Sequence, residues 1–418
     1  MNSIRLKYGI REISLKVSDR TYIDTILPPI TPSEKPGLEV VQAALQNPIS
    51  AIDFAKLHAA RTVAVAINDK TRPVPYWQIL PPLLDFLFLH GISPSQITYL
   101  VATGTHTPLT TDEMEILLPS ELRRESVIIS HDCDQAEQIV PLGRTSAGTS
   151  VEINKIFHEA DYKIVLGSIE PHHFMGYSGG VKTAAIGLTS RLSIRQNHAH
   201  LISPLSTTGN HETNPCRLDV EEMGKLIGID LAINILINTQ KEIVRALVGY
   251  PVEVLQNGIP FSQMISQVEI KHLYDLAIVS PGGYPKDINF YQAHKAITNA
   301  ASLTRDGGRV ILLAECKEGP GSQPFQEFMK GITSPCQVLE KFNQIGFEIG
   351  PHKAFLLARQ LNRIQVSLLS SMSDEVTRSL MLVPITIEGI QSLILEEQHK
   401  RSKIAILPYG VNTVPLLR

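Results

Sequence analysis

The chain has 418 residues, of which 43% are hydrophobic and 19% charged, and its formal net charge is −3. That length exceeds what one core usually serves and sets two domains as the expectation, while a near-neutral charge without any Lys/Arg tract excludes nucleic acid or a membrane surface as the main partner. Four scattered cysteines (Cys133, Cys216, Cys316, Cys336) form no CxxC pair, which excludes a disulfide framework or a zinc knuckle and fits a reducing cytosol.

The opening segment alternates apolar and polar residues (Ile4, Leu6, Ile10, Ile13, Leu15, Val17), which predicts short antiparallel strands at an edge. It has no apolar core of the signal-peptide kind, so a cytoplasmic protein is expected. Residues 40–45 and 52–57 read as helical. The most apolar stretch, 79–92, is broken by Pro81, Pro82 and Asp85 and is no membrane span.

A recurring unit organises the rest. Short apolar runs at 62–67, 97–102, 164–167, 276–280 and 310–314 each open into a polar or glycine-rich loop. Continuous apolar runs with helical lengths between them are the pattern of strands buried on both faces. The fold class is therefore α/β, with two domains built on largely parallel sheets. Ligands of such sheets bind outside the carboxyl ends of the strands, and an active site in the interdomain cleft is expected. Asn257-Gly258-Ile259-Pro260 reads as a turn near the boundary, which gives an N-terminal domain 1–265 and a C-terminal domain 266–418.

The loop after residues 164–167 is the richest: Glu170-Pro171-His172-His173-Phe174-Met175-Gly176-Tyr177-Ser178-Gly179-Gly180-Val181-Lys182-Thr183. A strand ending in a glycine-rich turn can offer backbone N–H groups to an anion. Residues 176–183 nearly spell GxxxxGK[ST], but Val181 stands where a glycine must precede the lysine, which argues against nucleotide hydrolysis. Adjacent His172 and His173 on extended chain would point to opposite sides and ligate one metal poorly. His198-Ala199-His200 lacks a nearby carboxylate to complete a zinc set. A single histidine ligand to a metal whose other donors belong to a cofactor stays open.

Asp69-Lys70-Thr71-Arg72-Pro73 follows another strand, where Arg72 could clamp a carboxylate or phosphate; taken alone, a surface ion pair is the commoner meaning. His106, in Thr103-Gly104-Thr105-His106, is an acid/base candidate or an ordinary loop histidine. Gln292 and Lys295 lie three apart on a predicted helix and share a face.

Together these residues resemble the nickel-dependent lactate racemase family. The resemblance is carried by Asp69-Lys70-Thr71-Arg72-Pro73-Val74-Pro75, Ala102-Thr103-Gly104-Thr105-His106, Glu170-Pro171-His172 through Lys182, Asn197-His198, Thr208-Gly209-Asn210 and residues 282–295, in both halves of the chain. It implies a racemase or epimerase of 2-hydroxy acids working by reversible hydride abstraction at C2. Lys182 would tether a pyridinium-3,5-bisthiocarboxylate mononucleotide that holds nickel, and His198 would complete the metal's ligands. Asp69, Lys70, Thr71, Arg72, Gly176, Tyr177 and Ser178 would hold the cofactor, its phosphate on turn 69–72 and loop 176–178. His106 and His172 resemble the acid/base pair; Arg72, Gln292, Lys295 and His352 would hold substrate. Separate maturation enzymes would supply the cofactor.

The chain departs from the lactate pattern at Val181, His173, His294 and His352, where the family has an arginine, an aromatic, an aliphatic residue and a tryptophan. Added polarity suits a larger or more hydroxylated acid than lactate. An epimerase acting at C2 of an aldonate is the alternative within the class. A non-catalytic carrier of the nickel cofactor and a zinc hydrolase are the alternatives outside it.

Overall fold

The computed structural model describes residues 2–17, 23–72 and 74–418, so Pro73 of the arginine-bearing turn lies outside the described residues. Residues 30–265 form one compact unit, and residues 1–29 with 266–418 form another. The division falls between residues 265 and 266 and groups residues 1–29 with 266–418, where the sequence reading sets an N-terminal domain 1–265. The cause is strand pairing. Ile23–Thr25 adds in parallel to the edge strand Ile404–Leu407, and the hairpin Asn2–Tyr8 with Arg11–Val17 packs Leu6 and Leu15 on Leu276 and Ile406.

The unit 30–265 is built on a six-stranded sheet in the order Ile243–Gly249, Leu231–Ile237, Tyr162–Ser168, Val63–Asn68, Ile97–Ala102, Val127–Ser130. Only the Ile243–Gly249 edge is antiparallel. Val63–Asn68 is buried at every position, as its unbroken apolar run predicts for a strand covered on both faces. The helices Gly37–Gln46 and Tyr76–Leu89 supply Val41, Leu45, Leu80 and Leu83 to its core.

The other unit carries an all-parallel sheet, Val383–Pro384, Gln365–Leu369, Thr304–Leu313, Tyr274–Val279, Ile404–Leu407, Ile23–Thr25. The turn expected at 257–260 is absent: the helix Pro251–Ser266 runs through it. Gly258 serves packing there, since a Cβ would come within 2.2 Å of Ile169 Cδ1. Among the described residues no helix is long and apolar enough to cross a membrane.

Candidate functional site

Three adjacent parallel strands of the unit 30–265, Tyr162–Ser168, Val63–Asn68 and Ile97–Ala102, release their loops at the same edge of the sheet. That is where α/β sheets bind ligands, and it brings the turn at Asp69, the loop of His106 and the loop of His172 to one side.

Asp69 is 3% exposed, and its Oδ2 lies 2.6 Å from His106 Nδ1. Its Oδ1 accepts from the Thr71 hydroxyl at 2.7 Å and the Thr71 N–H at 3.1 Å. Burial pushes this carboxyl up, but the hydrogen bond and charge of His106, the Thr71 hydroxyl and the nearby Arg72 outweigh it and hold it below the usual range. With Nδ1–H donated to Asp69, neutral His106 presents Nε2 as a bare acceptor. Both oxygens of Asp69 are thus spent inside the protein, and a carboxylate would repel a phosphate. What turn 69–72 can offer an anion is the exposed Arg72 and the Thr71 side. Lys70, expected on the cofactor, instead pairs with Glu113 at the surface.

The strand pair Pro171–His172 and Gly176–Tyr177 makes a tight hairpin. The Met175 N–H donates to His172 Nδ1 at 3.3 Å, so the neutral ring carries its proton on Nε2. His172 and His173 do not point apart: their rings stack at 4.6 Å and 24°, because the chain turns immediately after His172 and is not extended there. Phe174 sits edge-on to His172 and His173 at 4.8 Å each and to His198 at 5.1 Å, so one benzene ring joins the hairpin to the helix Arg191–Ala199.

His198 is oriented from below. Its Nδ1 donates to Asn197 Oδ1 at 3.0 Å, while Asn197 Nδ2 donates to Asp219 Oδ2 at 2.8 Å and to the Cys216 carbonyl at 3.0 Å. Asp219 is buried and also accepts from the Thr145 and Thr149 hydroxyls. The amide cannot flip without losing both donor bonds, so Asn197 fixes the orientation of the His198 ring through Nδ1.

The glycine-rich loop is braced rather than open. The Tyr177 and Ser178 N–H groups donate to the Met175 and Glu170 carbonyls, and the Ser178 hydroxyl donates to the Ser168 carbonyl while accepting from the Glu170 N–H. The Tyr177 side chain is buried against His211. The Tyr177 and Ser178 amides and the Ser178 hydroxyl proton are therefore already engaged within the loop. Gly176 is needed for space: its φ is +72°, and a Cβ would lie 2.0 Å from the Asn210 carbonyl oxygen.

Further along, the Gly180 N–H donates to Asn234 Oδ1 at 2.7 Å, and the buried Arg217 donates to the carbonyls of Tyr177 and Gly179 at 3.2 Å each. Glu221 neutralises Arg217. Val181 packs on Gly224, whose neighbouring space it fills. This frame ends in Lys182, 3% exposed, at the start of the short helix Lys182–Ala185.

In the unit that contains 266–418, the Lys295 Nζ donates to Gln292 Oε1 at 2.7 Å, which joins the pair the sequence placed on one face. His352 is buried in the first turn of the helix Pro351–Leu361, edge-on to Tyr291 at 6.3 Å and 5.3 Å from Phe347. Burial, then the Lys353 charge, push its imidazole down to about 3. His294 is driven well below 6.5 by burial and then by Lys353, Lys295 and His352. Both rings are neutral near pH 7.

Arg217 with Glu221, Asn234, Asp219 and the orienting role of Asn197 escape a reading of motifs. Two left a signal: Asn234 is a polar residue inside the apolar run 231–237, and Arg217 with Glu221 has the spacing of a helical ion pair. Among the described residues the only three-residue group with metal-ligand geometry is Asp132, Cys133 and Asp134, and there Asp134 is held by a two-pronged bond from Arg191.

Comparison with known proteins matches residues 8–209 to the family described as lactate racemase N-terminal domain and 269–414 to lactate racemase C-terminal domain. A domain of unknown function also matches 118–304. The lactate racemase of Thermoanaerobacterium thermosaccharolyticum is 31% identical over 99% of both chains. That of Lactiplantibacillus plantarum is 28% identical over 99% of this chain and all of its own. The solved lactate racemase apoprotein from T. thermosaccharolyticum superimposes with a TM-score of 0.92 at 28% identity over 99% of this chain and 100% of that one. A Thermotoga maritima protein shares the fold at a TM-score of 0.68 and 17% identity, covering 94% of this chain and 100% of that one.

Proposed function

The chain belongs to the lactate racemase family, and we propose that it is an isomerase that racemises or epimerises a 2-hydroxy acid other than lactate. The observation that carries this reading is the pair of histidines with opposite hydrogen-bonding states at one sheet edge: His106 held through Nδ1 by Asp69, and His172 held through Nδ1 by a backbone N–H.

The residues fit the nickel-pincer nucleotide that the resemblance implies. Lys182 ends a braced loop and is suited to a covalent tether. His198, its Nδ1 committed to Asn197, would offer Nε2, the kind of donor that ligates Ni(II). Asp69 turns to His106, so the phosphate falls to Arg72 and Thr71. When bound, the group supplies the acceptor and donor of the C2 hydride.

His106 Nε2 takes the proton of the substrate hydroxyl, and the Asp69 carboxylate stabilises the imidazolium that forms. Loss of the hydroxyl proton and of the C2 hydride leaves a planar keto acid. His172 begins as the hydrogen-bond donor of the pair, its Nε2–H fixed while the Met175 N–H holds Nδ1. For the two rings to exchange roles in the reverse direction, that 3.3 Å bond must open. Gln292, its amide oxygen bound to Lys295, and Lys295 itself are suited to the substrate's carboxylate and oxygen atoms. His352 and His294, neutral through burial, are the departures from the lactate pattern that favour a more polar acid.

The test is expression in a host with the cofactor maturation pathway, followed by intact mass spectrometry and chiral chromatography of a panel of 2-hydroxy acids. A nickel-bearing adduct on Lys182 and interconversion of a non-lactate acid are expected. An unmodified lysine under those conditions overturns the cofactor reading. Turnover of lactate alone overturns the substrate reading.

A further inference from the structure

One polar side chain at the sheet edge of the unit 30–265 is held in place and left unspent. Asn68 ends the strand Val63–Asn68 and is 9% exposed, and its carboxamide makes no hydrogen bond to any described residue. Its backbone is fixed, for the carbonyl accepts from the buried Tyr76 hydroxyl at 2.9 Å. The polar groups around it are engaged elsewhere. Asp69 serves His106 and Thr71, and the Thr183 hydroxyl donates to the Leu166 carbonyl. Asn234 accepts from the Gly180 N–H and donates to the Ile233 carbonyl.

Strand register puts Asn68 beside the segment that carries Lys182. Asn234 pairs with Gly167 and Asn68 with Ala102, and Asn68 stands two residues beyond the Ala66–Val165 pair, level with Gly167. Asn234, Gly167, Asn68 and Ala102 thus form one row across four strands. Gly167 leaves a gap in it: a Cβ there would lie 2.9 Å from Thr183 Oγ1, 3.5 Å from Asn234 Nδ2 and 3.9 Å from Asn68 Nδ2. Two places along, a Cβ on Gly187 would lie 2.5 Å from Ala102 Cβ. Residues 182–187 are therefore seated on the row at Gly167 and at Ala102, and Asn68 stands between the two seats.

A buried amide without partners costs stability that an apolar side chain of the same size would not. Such a group calls for a reason, and a bound ligand that completes its hydrogen bonds is one. We propose that the Asn68 carboxamide binds the acyl group carried on Lys182, its N–H donating to the acceptor atom of the linkage. This rests on the tethered-cofactor reading above and deepens it. A carboxamide offers two N–H donors and one acceptor oxygen without charge, which suits an uncharged amide-type linkage better than a phosphate.

The experiment compares Asn68→Leu, close in size and without polar atoms, and Asn68→Ala with the unmodified full-length chain. Each is produced with and without the cofactor maturation pathway. Urea unfolding is read on the unloaded proteins, and the fraction of chains with an adduct on Lys182 is read on the loaded ones by intact mass spectrometry. Unloaded N68L is expected to unfold at the same urea concentration as the unmodified chain or a higher one, while its adduct fraction falls about three- to tenfold. N68A, which adds no bulk, is expected to lose adduct to the same degree and decides if N68L does not fold. An adduct fraction unchanged in both variants overturns the proposal and leaves the tether reading standing. A lowered unfolding midpoint in unloaded N68L overturns it too, because the amide would then be a structural group. An unmodified chain without any adduct on Lys182 overturns the tether reading, and this proposal with it.

Discussion

The Asp69 carboxylate holds His106 Nδ1 at 2.6 Å with one oxygen and the Thr71 hydroxyl with the other, so a 3% exposed acid fixes the tautomer of a half-exposed imidazole. Asp69→Asn keeps the shape but removes the charge that stabilises imidazolium and can donate to Nδ1, which turns the bare nitrogen away from substrate. We expect kcat of the loaded enzyme to fall by about 10²- to 10⁴-fold with a small change in KM, measured by chiral chromatography. The pH sign follows from the lowered Asp69 value. The native state favours the ionised acid, so its contribution to stability is complete above the ordinary carboxylate range and is lost only as pH falls through the lower folded value. The D69N stability difference is therefore expected to be flat from pH 6 to 8 and to shrink below about pH 4 in denaturant titrations.

His198 depends on a second relationship of the same kind. Asn197→Ala removes the acceptor for Nδ1, and Asp219→Asn loosens the amide that provides it. Each substitution is expected to weaken nickel retention by about 10- to 100-fold while leaving the far-ultraviolet circular dichroism unchanged, as read by metal content after dialysis. Equal retention by N197A and the unmodified chain would remove Asn197 from the orienting role.

Arg217 joins the helix Pro215–Ile227 to the loop that ends in Lys182 through two backbone carbonyls and Glu221. It is 1% exposed, so Arg217→Met takes the guanidinium from Glu221 and the Tyr177 carbonyl in a dry place and leaves the Gly179 carbonyl with the Lys182 N–H alone. A loss of roughly 3–5 kcal/mol is expected in urea unfolding, against less for Glu221→Gln, which keeps a hydrogen-bonding group. Lys182 modification, followed by mass spectrometry, should fall in R217M more than in a surface variant of equal stability.

Much of this was legible because strands and their loops announce themselves. The runs 62–67, 97–102 and 164–167 are apolar because both faces are covered, and in a parallel sheet the loops that follow must share one edge. Hence Asp69, His106 and His172 could be expected together. The attachment of residues 1–29 to the other unit was not legible, because a three-residue edge strand such as Ile23–Thr25 has no periodicity to read. The partners of Asp69 and Ser178 were not legible for another reason. A motif names residue types at a spacing, but a buried carboxylate or hydroxyl is claimed by whichever partner the fold puts nearest: His106 for one, and the Ser168 carbonyl for the other.

The buried imidazoles of the unit that contains 266–418 predict an acid-sensitive fold. His352 is lowered to about 3 and His294 is lowered well below 6.5, in both cases first by burial and then by neighbouring cations. A histidine whose folded value is depressed binds its proton more readily in the unfolded chain. Its contribution to stability is therefore complete above about pH 6.5 and declines as pH falls toward the folded value, by on the order of 1 kcal/mol per pH unit for each ring. Urea unfolding of the unmodified chain should thus lose stability between pH 6.5 and 4.5. His352→Gln, close in size and without a titrating group, should lose about half as much over the same interval while starting lower at pH 7.5 from imperfect packing. A slope identical in H352Q and the unmodified chain would mean that the ring is already protonated in the native state, and that neither burial nor the Lys353 charge holds it down.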